Sequence, residues 1–505
     1  MWKVKKTHFL KNTLLFSLAT LISRILGYIR DAVVAYIFGA NALTDAFFVA
    51  WRIPNTLRQL VAEGSFNAAF IPIFTQLHRK NPDYAYRYAS SLFSYYTLVL
   101  SFLTVIVVIF SDFFVRIVAP GLIDKGTIDV ASNLLKLVFP YIVLVGWVSF
   151  FMALLNTRDR FFIPAVSPAL LNLSFILSAV ILSQSMGIYA LAAGAIIGGI
   201  LQVLLQFPLL FKEKLFPRLS FSPVPEIKQT LKRLAPAFAS FGVSQFAFVV
   251  DTVIASFLVG GAISYLYYAN RIFQLPIGLF AVGLGNALLV SLSRHYSEKD
   301  EELFSRDLNN GLRFALFISL PATAGMIVLG KEILSVLLER GAFTYEDTVM
   351  TYTALVGYSI GLAGYALSRP FKSAFFAMGD TKTPLYSTIA GLVVSITAAI
   401  VAGFMLGWGV FGLALASSIG GFAGLIYLVL SGDFSVEWKK MAFTFLKTSI
   451  ATGLMVMFIY LLKTTIAGEL LVVILGIAGG VLVFFGTAYL LREDSLIYLL
   501  RSLKR

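Results

Sequence analysis

Seven charged side chains lie between residues 24 and 63, in stretches otherwise apolar: Arg24, Arg30, Asp31, Asp45, Arg52, Arg58 and Glu63. An arginine at the centre of a bilayer costs about 2.5–3.5 kcal/mol on insertion scales, so such a group must face protein or a wet cavity. At 100° per residue, Asp45, Arg52, Gln59, Glu63 and Asn67 fall on one narrow stripe, with Asn55 at its margin. A polar stripe sustained along a helix lines something wet. Arg58 lies off the stripe, although Pro54 can kink the helix and shift its phase. Far along the chain, Arg271 stands with Asn270 and Gln274 among apolar residues.

Two chemistries fit this pattern. In one, Arg24, Arg30, Arg52 and Arg58 from one half of the chain and Arg271 from the other form a cationic cavity. Guanidinium stays charged in a poor solvent and holds phosphate oxygens through paired N–H bonds, so an anionic headgroup would fit. In the other, Arg30–Asp31, Asp45–Arg52 and Arg58–Glu63 are internal ion pairs that tie helices together. Five arginines against three nearby acids leave a surplus of cations, which favours the cavity. Arg24 taken alone could snorkel to a helix end. Asp251 is the acid of a later apolar run; it could bind sodium or a proton with neighbouring carbonyls, or pair with an arginine.

Other chemistries find no residues. The chain has no cysteine, and its histidines, His8, His78 and His295, have no metal-ligand spacing. No phosphate-binding GxxxxGK[ST] loop, nucleophile elbow or zinc-protease motif occurs in a plausible setting. Gly283-Leu284-Gly285 fits close helix packing better than a phosphate loop.

The elements that must position these residues are membrane helices. Of the 505 residues 58% are hydrophobic and 13% charged, about half the charge of an ordinary soluble chain. Apolar runs long enough to cross a hydrocarbon core of about 30 Å recur from end to end and lack the alternation of barrel strands. The expectation is an all-α polytopic membrane protein of about 14 spans. Lys3, Lys5, Lys6 and Lys11 before the first apolar run resemble a signal peptide, but Arg24, Arg30 and Asp31 interrupt that run, so it reads as an uncleaved first span.

A net charge of +14 raises the question of nucleic acid. Its placement answers against it. With ends and loops taken alternately from the N-terminus, about 27 of the 40 Lys and Arg fall on the N-terminal side and about six on the other. The opposite loops, such as 38–43, 184–187 and 259–263, are short and nearly neutral. The positive-inside rule then places both termini in the cytoplasm.

The sequence also repeats itself. Ala50-Trp51-Arg52 matches Ala269-Asn270-Arg271, and at the same offset Gly64, Asn67, Lys80 and Arg87 match Gly283, Asn286, Lys299 and Arg306. With one residue of drift, Asp31 matches Asp251 and Pro164 matches Pro384. The polar, proline-bearing segment from Lys212 to Arg233 reads as a linker. The expected organisation is a six-helix lobe over 1–215, a second over 216–435, and an additional helix pair over 436–505. Parallel bundles of this kind carry substrate sites between lobes in transporters.

These residues also carry a family likeness. Ser23-Arg24-Ile25-Leu26-Gly27-Tyr28-Ile29-Arg30-Asp31 is followed by Phe38-Gly39-Ala40, Thr44-Asp45-Ala46-Phe47-Phe48, Ile53-Pro54-Asn55 and Arg58. Ala62-Glu63-Gly64-Ser65-Phe66, Ala69-Phe70-Ile71-Pro72 and Tyr268-Ala269-Asn270-Arg271 continue the pattern. It closely resembles the signature of the MurJ (MviN) lipid II flippases, a branch of the MOP transporter superfamily. The resemblance implies a transporter, not an enzyme, in the bacterial inner membrane, acting as a monomer on lipid II among membrane lipids, with no nucleic acid and no cofactor. It implies substrate binding by Arg24, Arg30, Arg58 and Arg271 with Asp31, Asp45, Arg52, Asn55 and Glu63 beside them, and a groove for the lipid tail on the last two helices. Some members bind sodium; Asp251 matches one ligand position and Ser417 could help. The alternatives are another MOP-type exporter, of drugs or a different lipid-linked oligosaccharide, and a membrane enzyme acting on lipid diphosphates.

Overall fold

The computed structural model describes residues 2–62 and 65–497, and every regular element among them is helical. Packing gathers the chain into two units, Met1–Gly261 and Ala262–Arg505. Among the described residues ten helices are long and apolar enough to cross a membrane. The about fourteen spans expected from sequence include segments outside that set. One of these is Ala42–Ala62, which carries Asp45, Arg52 and Arg58.

The first unit contains α1 (Trp2–Phe38), α2 (Ala42–Ala62), α3 (Ser65–Lys80), α4 (Pro82–Ile109) and α5 (Ser111–Val118). After a 3-10 turn at Pro120–Leu122 come α6 (Ile128–Val138), α7 (Tyr141–Asn156), α8 (Phe162–Met186), α9 (Tyr189–Lys212) and α10 (Pro225–Ser256). One end of its core is aromatic: Phe66, Phe70, Phe74, Tyr88, Phe93, Phe150 and Phe151 interlock between α3, α4 and α7. Helices α8 and α9 meet through small residues. A Cβ on Gly198 would lie 2.8 Å from Leu171 Cδ1, and the Ser174 hydroxyl donates to Gly194 O at 2.9 Å. Lipid offers no hydrophobic drive between helices, so such close contact is what holds them.

The linker after α9 does not hang free. The N–H groups of Arg218 and Ser220 donate to Ser90 and Ser94 on α4, and Tyr95 Oη donates to Phe221 O. Tyr84 Oη donates to Glu226 at the start of α10 at 2.9 Å. Packing therefore divides the chain at Gly261, one helix beyond the boundary drawn at 215–216.

The second unit opens with α11 (Ala262–Pro276), a π-turn at Ile277–Ala281 and α12 (Val282–Ser297). Pro276 supplies no N–H, and the ladder resumes one residue late, with Val282 N donating to Ile277 O. There follow α13 (Glu301–Leu338), α14 (Tyr345–Ile360), α15 (Leu362–Ala377), α16 (Lys382–Ile400), a second π-turn at Val401–Met405, and α17 (Gly409–Ser431). The additional pair is α18 (Trp438–Thr465) and α19 (Glu469–Leu490). Both pack on α13 through Phe317, Leu329, Met455, Ile459, Val472 and Phe484. Lys463 fixes the pair further with an ion pair to Glu332 at 2.6 Å. Outside these contacts the pair exposes an apolar surface that includes Phe443, Leu446, Ile450, Leu471, Ile474 and Leu482.

Candidate functional site in the first unit

Helices α1 and α2 carry the sequence-predicted charges, and the helices packed around them decide what each can do. Arg24 is exposed on α1, and no described residue forms an ion pair or hydrogen bond with it. Two turns further along α1, Arg30 is held on several sides. Its Nε and Nη2 donate to Asp31 Oδ1 at 3.0 and 2.6 Å, and its Nη1 donates to Asn172 Oδ1 on α8 at 3.1 Å. The guanidinium also stands over the Phe175 ring, 5.6 Å from its centroid. Asn172 in turn donates to Ser23 O at 3.0 Å, so one amide fixes both the arginine and the α1 backbone beside Arg24. The ion-pair reading thus describes Arg30–Asp31; it does not describe Arg24.

On α2, Arg58 Nε donates to Asn55 Oδ1 at 2.9 Å, one turn back along the same helix. Arg52 Nη1 donates to the Thr252 hydroxyl of α10, beside Asp251. Tyr141 packs against Trp51 at 5.2 Å and reaches Gln202 at 3.4 Å. Trp51 also meets Phe175 edge-on at 5.1 Å, so Arg30 and its partner Asp31 stand on an aromatic floor of Phe175, Trp51 and Tyr141. Asn67 has a buried Oδ1 without a hydrogen-bond partner among the described residues. Glu63 lies outside the described residues.

Asp45 sits elsewhere. It occupies the first turn of α2, is fully buried, and accepts a hydrogen bond from Gly261 N at 2.8 Å. Lys125 Nζ stands 3.8 Å from it and donates to Val259 O at 3.1 Å. Burial lowers the pKa of the Lys125 ammonium and the Asp45 charge opposes that shift. Asp45 thus pins the chain end after α10 to the start of α2.

In the second unit Arg271 is half-buried on α11, and its neighbour Asn270 accepts from Gln274 Nε2 at 2.7 Å. Sequence reasoning passed over Arg369 and Lys372 on α15, although both are charges inside an apolar run. It also passed over Asn172, Thr252 and Lys125, which act as partners of the residues it named.

Asp251 and Ser417 are the residues the sequence offers for sodium. Asp251 offers one half-buried carboxylate, the Ser417 hydroxyl is turned onto Leu413 O at 3.4 Å, and the Ser417 carbonyl accepts from Tyr365 Oη at 2.9 Å. Among the described residues no three His, Cys, Asp or Glu stand together.

Comparison with known proteins adds an independent line. The family model described as lipid II flippase MurJ matches residues 34–478. A probable lipid II flippase MurJ of Aquifex aeolicus is 38% identical over 419 residues, 82% of each chain. A solved lipid II flippase MurJ in an inward closed conformation superposes with a TM-score of 0.80 at 31% identity, covering 97% of this chain and 100% of the other. An inward-facing multidrug-resistance MATE transporter of the MOP superfamily shares the fold, with a TM-score of 0.65 at 15% identity over 88% of this chain and 96% of its own. The arginine-bearing signature, the helical architecture and the match over most of the chain agree: this protein belongs to the MurJ lipid II flippase family.

Proposed function

We propose that this protein is a transporter that carries lipid II, the undecaprenyl-diphosphate-linked precursor of peptidoglycan, from the cytoplasmic to the outer leaflet by alternating access. The observation that carries this reading is Arg24: a guanidinium exposed within a membrane helix, with no ion pair or hydrogen bond among the described residues. Such a charge is costly in lipid unless something anionic meets it. A diphosphate esterified at both ends is a dianion, and its oxygens suit the paired N–H groups of arginine. Arg30 adds a second guanidinium whose direction is set in advance by Asp31 and Asn172. Such preorganisation lowers the ordering cost of binding. Arg58, Arg52 and Asn55 extend the basic surface along α2, and Arg271 is a half-buried membrane arginine of the second unit.

The polar head is then screened from hydrocarbon while the long tail stays in the membrane, against the apolar face of α18 and α19. The chain works as a multi-pass inner-membrane protein, as a monomer with both termini cytoplasmic, surrounded by membrane lipids. Neither a nucleic acid partner nor sodium has a step in this reading. The membrane potential acting on the site charges is one drive that fits this reading, worth about 2.3 kcal/mol per charge per 100 mV.

The test is complementation. A bacterium depleted of its own lipid II flippase should regain growth and normal shape when this chain is expressed. Lysis despite full membrane expression would overturn the reading, and so would rescue of drug efflux or O-antigen export in its place.

A further inference from the structure

Helix α15 carries two cations that the cavity argument does not use. Arg369 and Lys372 are separated by one helical turn and share a face, about two and one and a half turns from the helix end at Ala377. Arg369 is exposed, and no described residue hydrogen-bonds or ion-pairs with it. Lys372 is half-buried, and its Nζ donates to the Thr388 hydroxyl of α16 at 3.3 Å. No described carboxylate pairs with either.

Ser373 Oγ donates to Gly285 O at 2.9 Å and draws α15 against α12. The Arg369 stem lies along α12 beside Gly285, where an added Cβ would make ordinary contact, 3.7 Å from Arg369 Cβ. On the same helix Gly283 faces open space. Two like charges one turn apart repel. Each also carries the insertion cost of a cation in a membrane helix. Snorkelling would relieve this by sending the ammonium to the surface, but Lys372 is directed sideways onto α16. A fork of guanidinium N–H groups beside a point charge is a receptor for a phosphate ester with several free oxygens.

We propose that Arg369 and Lys372 form a second phosphate station, within the second unit, that receives the diphosphate of the transported lipid near the end of α15. This rests on the lipid II reading above. The same chemistry could take the phosphate of a bulk phospholipid, so the test separates the two sources.

The experiment measures binding to the full-length chain in phosphatidylcholine nanodiscs, with lipid II in one arm and phosphatidylglycerol in the other. The variants are R369A/K372A, R369Q/K372Q and the charge-conserving R369K/K372R, each checked for unchanged thermal unfolding; the glutamine pair substitutes if the alanine pair fails to fold. We expect the neutral pairs to weaken lipid II binding at least tenfold and to flatten its salt dependence. R369K/K372R should stay within threefold of wild type, and phosphatidylglycerol binding should not change. Neutral pairs within twofold of wild type would overturn the station. So would an equal loss in R369K/K372R, which indicates packing, or an equal loss of phosphatidylglycerol, which indicates bulk lipid. If the wild-type chain binds no lipid II, both readings fall; if it binds and Arg24→Ala does not while the neutral pairs do, only the station falls.

Discussion

The two units use the same kind of seam and put charge in different places. In the first, α8 meets α9 where the Ser174 hydroxyl donates to Gly194 O; in the second, α16 meets α17 where the Ser387 hydroxyl donates to Gly424 O, each at 2.9 Å. In both units small residues let backbones approach, and a serine hydroxyl closes the gap. The charges do not follow this likeness. Helix α7 of the first unit has no charged residue in its 16 positions, whereas α15 carries Arg369 and Lys372. Conversely, the apolar stretches of α1 and α2 hold Arg24, Arg30, Asp31, Asp45, Arg52 and Arg58, while those of α10 and α11, which the sequence repeat matches to them, hold Asp251 and Arg271. Helix packing is alike in the two units, while the placement of charge differs.

The comparison can be broken most forcefully at Asp45, which has no buried acidic counterpart in the first turn of α11. Removing one partner of a buried charge pair typically costs about 3–5 kcal/mol, because the other is left uncompensated. Asp45→Ala should therefore destabilise by roughly that amount, and Asp45→Ala with Lys125→Ala should recover part of the loss, both read by thermal unfolding in detergent. A loss below about 1 kcal/mol would mean that Lys125 and Gly261 N–H find other partners.

The seams come next. A Cβ at Gly420 would lie 2.5 Å from the carbonyl oxygen of Gly391, a backbone atom, whereas a Cβ at Gly198 meets the flexible Leu171 Cδ1 first, at 2.8 Å. Overpacking typically costs about 1–3 kcal/mol. Gly420→Ala should fall at the upper end and Gly198→Ala at the lower. Equal losses would show that the two seams yield alike.

The smallest effect concerns how the later helix begins. Asp380 accepts from the N–H groups of Lys382 and Thr383 at 2.8 and 3.0 Å and from the Thr383 hydroxyl at 2.6 Å, whereas no side chain caps α8. These hydrogen bonds, chiefly those from Thr383, hold the Asp380 carboxyl below its ordinary value. Because the folded value is the lower one, the contribution is present above about pH 4 and is lost as pH falls through the folded value. Asp380→Ala should cost about 1 kcal/mol at pH 7, and its difference from wild type should shrink toward pH 3.

Much of this architecture was legible without coordinates. Apolar runs interrupted by Pro and Gly marked the helices. The charges of α1 and α2 were legible as well, because a bilayer makes every buried cation conspicuous. Their partners were not. A helical wheel places Asp45 on the same stripe as Arg52 but carries no depth, so it could not tell that Asp45 sits in the first turn and caps Gly261 N–H. Asn172 was hidden because a single amide in an apolar run acquires a role only when α8 packs on α1 and brings it to Arg30. Arg369 and Lys372 were visible as charges and carried no motif that set them apart.

The account depends most on an arginine in the membrane that no carboxylate among the described residues neutralises. The most direct measurement is lipid II translocation by purified protein in sealed vesicles, comparing wild type with Arg24→Ala and Arg271→Ala at matched insertion. The account predicts a loss of about 100-fold or more for Arg24→Ala, equivalent to about 2.7 kcal/mol, with partial recovery in Arg24→Lys, and a clear loss for Arg271→Ala. Full activity in both alanine variants would contradict it.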